Sequence, residues 1–214
     1  MGTFSDIDVC RNACVILGLE PISNFNDGTP AGSVMGVRYP LFREVILTDH
    51  IWNFAVKKVR LTREADVPVS QWKYQYLLPS DGLADGVIAA YESDDEGAHS
   101  ISDFVIQNGR LLTNYESIYV DYLADIDESY WPSYFVDYAA HALAADVCLT
   151  LTRDRGLKDE LDEKIGGLPS DGGMGGLFAR ARRKDSYHAP ANNKFRKFPL
   201  LMVRRGSRIW GRSL

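Results

Sequence analysis

Hydrophobic residues recur at helical spacing at both ends of this chain and at strand spacing in its middle. Ile7, Cys10, Cys14 and Leu17 follow one another at intervals of three and four, which predicts a helix over 6–17. Ser5 is placed as its N-cap, Asp8 as the capping-box partner, and Phe4 with Val9 as a hydrophobic staple. Gly18 suits the stop. Pro21, Asn26-Asp27-Gly28 and Gly32 mark a loop. Val34, Val37, Leu41, Val45 and Ile46 then predict a second helix, capped by Thr29, opening near Pro30 and running toward His50. Pro40 falls inside it and should kink or split it.

Beyond Trp52 the pattern turns extended. Strands are predicted over 53–62, 74–78, 87–91 and 117–123. Phe104-Val105-Ile106, Asn108-Gly109 and Leu111-Leu112 read as a hairpin, because Asn-Gly supplies the positive φ angles of a two-residue turn. Pro132 can open a helix that continues through an alanine-rich stretch to about residue 152. Leu157, Leu161 and Ile165 add a short amphipathic series. Glycines over 166–176 interrupt it, and 177–187 reads as a basic helix. Helices and strands are segregated along the chain, so the predicted class is α+β: an α-helical bundle of N- and C-terminal helices, a central antiparallel β insertion and an extended C-terminal arm. The expected division is 1–52 and 131–165 for the bundle, 53–130 for the insertion, 166–187 for a glycine-rich linker and basic helix, and 188–214 for the arm.

Charge sharpens the picture at the C-terminal end. Residues 180–214 hold 11 of the 24 Lys and Arg and one acid, Asp185, a formal +10. The first 179 residues hold 13 basic and 28 acidic side chains, a formal −15, so the net of −5 conceals an acidic body and a basic tail. The tail also carries Phe195, Phe198, Leu200, Leu201, Met202, Val203, Ile209 and Trp210. A permanently solvated segment would be poor in such residues, because exposed apolar surface costs free energy in water. It reads as an arm that gains order on a partner surface. An acidic protein surface, including a neighbouring copy of this chain, is the favoured partner, and 200–203 could add as a strand to a partner's sheet. The alternative is a nucleic-acid-binding protein, with Arg180, Arg182, Arg183 and Lys184 on phosphates and Phe195 or Trp210 stacked on bases.

Other constellations have plainer readings. Cys10 and Cys14 share a helix face with apolar residues, and Cys148 with His141 is the only further pair for a metal, so buried thiols are expected. Asp137 and His141 stand four apart as a general base and its orienting carboxylate would, but a structural helix pair has the same spacing and is the favoured reading. No nucleophile elbow, zinc-protease or Walker pattern accompanies them, so no enzymatic role, cofactor or metal is expected. The glycines of 166–176 are read as a hinge or linker, and the carboxylates Asp94-Asp95-Glu96 and Asp125-x-Asp127-Glu128 as solvated turns. Three cysteines make no disulfide framework, and neither a secretory leader nor a bilayer-spanning run is expected.

Six short motifs occur in a set order. They are Ala13-Cys14-Val15-Ile16-Leu17-Gly18-Leu19-Glu20-Pro21-Ile22, Leu47-x-x-His50-x-Trp52-Asn53-Phe54-Ala55, Leu78-Pro79-x-Asp81, Leu111-Leu112-Thr113, Trp131-Pro132-x-x-Phe135 and Ala142-Leu143-Ala144-Ala145. The series resembles the phage tail tubular protein A family of head-to-tail adaptors over about residues 6–152. The resemblance implies a structural virion protein of the tail or neck, assembled in the host cytoplasm. It implies a twelve-subunit ring beneath a portal protein and above a tail tube or nozzle, with double-stranded DNA passing unbound through the lumen and no membrane contact. C-terminal segments would reach the portal or a neighbouring subunit. Arg180 and Arg183, then Phe195, Arg196, Phe198, Leu200, Met202, Arg204, Arg205, Ile209 and Trp210, are the expected contacts, with 180–184 beginning the exit from the body.

Overall fold

The computed structural model describes residues 4–187 apart from 67, 96–97, 169 and 171–174. Over these residues the chain is a mixed helical and sheet protein with five α-helices and two antiparallel sheets.

Helix α1 (Asp6–Ile16) starts where Ser5 and Asp8 close a reciprocal capping box. It ends in a Schellman arrangement, the Leu19 N–H donating to the Cys14 carbonyl and the Gly18 N–H to that of Val15. Helix α2 (Pro30–Thr48) takes its N-cap from Thr29. Pro40 does not split it. Met35, Tyr39, Phe42, Ile46 and Leu47 bury along its length, and that packing outweighs the one hydrogen bond the imino ring removes.

The predicted strand over 53–62 is divided between three structures. Asn53–Ala55 is a 3-10 turn, β1 is Val56–Arg60 and β2 is Thr62–Arg63, with buried Leu61 as the pivot between sheets. The remaining strands are β3 (Tyr74–Leu77), β4 (Gly82–Tyr91), β5 (Ser100–Ile101), β6 (Phe104–Gln107), β7 (Arg110–Thr113) and β8 (Tyr119–Ala124). One sheet has the order β1-β8-β4-β5 and the other β2-β3-β7-β6. Gln107 pairs with Arg110 across Asn108 (φ 52°) and Gly109 (φ 72°), the two-residue hairpin expected from Asn-Gly.

Strand β8 shows how the layers stack. Val120, Tyr122 and Ala124 join a core shared with Tyr76 and Leu111 of the second sheet, while Leu123 faces the other way into the helical core. The first sheet therefore lies between the helices and the second sheet. Helix α3 (Ser133–Leu151), whose N-cap is Pro132, is the centre of the helical layer, with Phe135, Leu143 and Ala144 fully buried. Its alanines let α1 and the later helices approach closely. Helices α4 (Arg155–Gly166) and α5 (Gly176–Tyr187) complete that layer. Among the described residues no helix is long and apolar enough to cross a membrane.

Candidate docking interface

Helix α5 is amphipathic in an unusual way. Ala179, Ala181 and Asp185 are buried, while Arg180, Arg182, Arg183 and Lys184 are exposed. The expectation that 180–184 begin the exit from the body is thus corrected. The helix stays on the body to Tyr187 and turns its cations outward. Alanine at 181, only 1% exposed, carries just a methyl group and so lets α5 lie close against its neighbours α3 and α4.

Asp185 is the residue that fixes this arrangement. It is 1% exposed, and its carboxylate accepts from the Asn53 N–H at 2.9 Å, from Asn53 Nδ2 at 2.7 Å and from the Tyr134 hydroxyl at 2.9 Å. A buried carboxylate survives only with such partners, and here it ties α5 to the α2–β1 junction and to α3 at once. Burial, and then the Asp185 carboxylate, raise the Tyr134 pKa, which keeps that hydroxyl a donor. The lone acid of a basic segment was the sequence signal for this contact. Its partners could not be read locally, since Asn53 is 132 residues away.

Beside the carboxylate lies an aromatic cluster. The Phe178 ring sits 5.4 Å from Tyr138, 6.2 Å from Trp52 and 6.5 Å from His50, and the Arg182 guanidinium covers it at 5.4 Å. Trp52 is fully buried, and its Nε1–H donates to the Ile46 carbonyl at 3.1 Å. Burial first, and then the Arg182 charge, lower the His50 pKa, with Asp185 opposing. The folded state therefore favours neutral His50, and the unfolded chain takes the proton first as pH falls through about 6.5. This contribution is complete above that pH and is lost as pH falls toward the folded value. The melting temperature should drop between pH 7 and pH 5, and His50→Gln should flatten the slope; an unchanged slope would remove His50 as its source.

The glycine stretch before α5 is more than a spacer at its described ends. A Cβ on Gly167 (φ 80°) would meet the Gly175 Cα at 2.7 Å, so the two arms of this turn cross backbone to backbone. The residues expected from the sequence to touch a partner fall into two groups. Arg180 and Arg183 stand exposed on α5. Phe195, Arg196, Phe198, Leu200, Met202, Arg204, Arg205, Ile209 and Trp210 lie outside the described residues.

The chemical alternatives occupy ordinary places. His141 is buried, with Nδ1 2.8 Å from the Asp137 carbonyl oxygen of its own helix and 3.4 Å from the Asp137 carboxylate. Cys10, Cys14 and Cys148 are buried free thiols, and burial raises the pKa of Cys10 and Cys14. Among the described residues no group of three or more His, Cys, Asp or Glu could hold a metal. The 125–128 carboxylates depart from expectation. Glu128 is buried and, with Asp125, pairs with Arg43 rather than standing in solvent. Comparison with protein-family models and with curated proteins finds no match for this chain.

Proposed function

We propose that this chain is a structural virion protein, a head-to-tail adaptor that joins a portal to a tail tube or nozzle and forms part of the DNA channel. The observation that carries the reading is helix α5: one buried acid holds it to the body, its four cations face outward, and the rest of the positive charge follows directly in 188–214. Such a helix is a fixed base for a docking arm. From Tyr187 the following 27 residues reach up to about 90 Å when extended, enough to cross a neighbouring subunit. The order of motifs described above supports the same reading. So does the joint helical core, to which α1, α2, α3, α4 and α5 all contribute. Those helices suit a bundle into which 53–130 is inserted. A body of formal charge −15 suits a channel that does not grip the phosphate backbone. A ring of twelve is the stoichiometry that the resemblance implies.

Ending the chain after Tyr187 should leave its melting transition in place and abolish co-sedimentation with portal rings. If the shortened chain binds portal as the full chain does, the docking-arm reading falls. Steeply salt-dependent binding of the full chain to duplex DNA, lost on the same shortening, would favour the nucleic-acid alternative.

A further inference from the structure

Among the described residues strand β6 is an open sheet edge. It ends the order β2-β3-β7-β6 and carries no lysine, proline or bulge, the features that usually protect an edge from a further strand. Its apolar residues are instead left out. Val105 is 43% exposed and Ile106 45% exposed. Across the sheet Tyr76, Leu111 and Ile106 form one row. Tyr76 and Leu111 are almost wholly buried, so the row is core until it reaches Ile106 and stops. Ile106 is also one wall of a groove of about 470 Å³ whose other walls include Leu78, Leu83, Val87 and Tyr122. In a two-residue hairpin the N–H and C=O of Gln107 and Val105 point to β7, so those of Ile106 and Phe104 point outward. The edge thus offers main-chain partners to an extended segment, and a groove for one of its side chains.

We propose that residues 200–204 of a second copy of this chain add to β6 as a fifth, antiparallel strand. This rests on the docking-arm reading and names the seat of the arm. The register follows from charge. With Leu201 opposite Ile106, Met202 falls opposite Val105, Val203 opposite Phe104 and Arg204 opposite Asp103. Asp103 is an exposed acid just before β6, and its carbonyl, not its carboxylate, is the atom that accepts from Thr113. Leu201 continues the Tyr76–Leu111–Ile106 row toward the groove, and the outward groups of Ile106 and Phe104 bond to Leu201 and Val203. Pro199 precedes this strand, where the lack of an N–H costs nothing. The 14 residues from Tyr187 to Leu201 span about 45–50 Å extended, enough to leave one body and reach another.

Cysteine pairing tests it on the full chain. The native Cys10, Cys14 and Cys148 are buried and do not compete. Ile106→Cys protein mixed with Leu201→Cys protein in a glutathione buffer should give a disulfide-linked species at twice the 24.0 kDa chain mass, with 106 joined to 201. Asp103→Arg should cut the yield by about tenfold, and pairing it with Arg204→Asp should restore it. Each variant's melting transition shows that the fold is kept. A yield no higher than that of Leu201→Cys with exposed Val37→Cys overturns the proposal. So does a doubly substituted chain that closes on itself as a monomer, or an Ile106→Cys protein that links only to itself. Loss of the cross-link with portal binding still dependent on 188–214 would leave the adaptor reading standing with another seat for the arm. Portal binding without 188–214 would end that reading whatever the cross-link shows.

Discussion

Replacing Arg43 with Met should lower stability by about 3–5 kcal/mol, the cost of leaving a buried carboxylate without its cation. Arg43 sits on α2. Its Nε–H donates to Glu128 Oε1 at 2.7 Å, its Nη2–H donates to the Ile126 carbonyl at 3.0 Å, and its Nη1 meets the Asp125 carboxylate. Glu128 is 7% exposed and keeps one other donor, the Tyr39 hydroxyl at 2.8 Å. Burial, and then Glu128, raise the Tyr39 pKa, so the tyrosine remains a donor throughout the physiological range. Methionine fills most of the arginine's volume and removes every donor. For a chain of this size the loss is a fall in melting temperature of roughly 6–20 °C. Arg43→Met combined with Glu128→Leu should recover much of it, because replacing both charges avoids the orphaned carboxylate. A single variant within about 0.5 kcal/mol of the parent in urea unfolding would show that solvent already satisfies Glu128.

Asp185→Ala is expected to be nearly as damaging, at about 2–3 kcal/mol, and more local. The substitution strands the Asn53 N–H, the Asn53 amide and the Tyr134 hydroxyl together, each of which aims at the carboxylate. Helix α5 should then separate from the α2–β1 junction before the core melts, since its other buried residues are two alanines, with Leu177 and Phe178 only partly buried against the core. Trypsin is a direct reporter, because Arg180, Arg182, Arg183 and Lys184 lie on this helix. Cleavage there should accelerate under native conditions while the melting of the remainder shifts less. Asp185→Asn should fall between, since its amide keeps the shape but points hydrogens at other donors. Cleavage at the parental rate in Asp185→Ala would mean that the aromatic contacts alone hold the helix.

These two residues mark the limit of what a linear reading reaches. The start of α1, the start of α2 at Thr29 and the Asn108-Gly109 hairpin could be read because each is closed by atoms within a few residues. The helices over 133–151 and 176–187 could be read from alanine content and spacing. The division of 53–62 between two sheets could not, because Leu61 turns the chain only in response to Ile118, whose carbonyl accepts its N–H at 2.8 Å from 57 residues away. Strand β5 was missed, being two residues held by pairing with β4. Pro40 reads as a kink or a split because the local cost is visible in sequence, and the packing that keeps the helix in one piece is not.

The sequence by itself therefore determined the periodicities, the caps, the turn and the separation of an acidic body from a basic end, all of them properties of neighbours along the chain. Only the tertiary structure decided which acids are buried. Glu128 looks like any solvated carboxylate in one dimension, and Asp185 stands out there only as the lone acid of a basic segment; it is the convergence of donors from distant elements that makes their burial affordable. The same holds for β6, whose apolar residues read as core but stand at an edge, because among the described residues no further strand pairs with it.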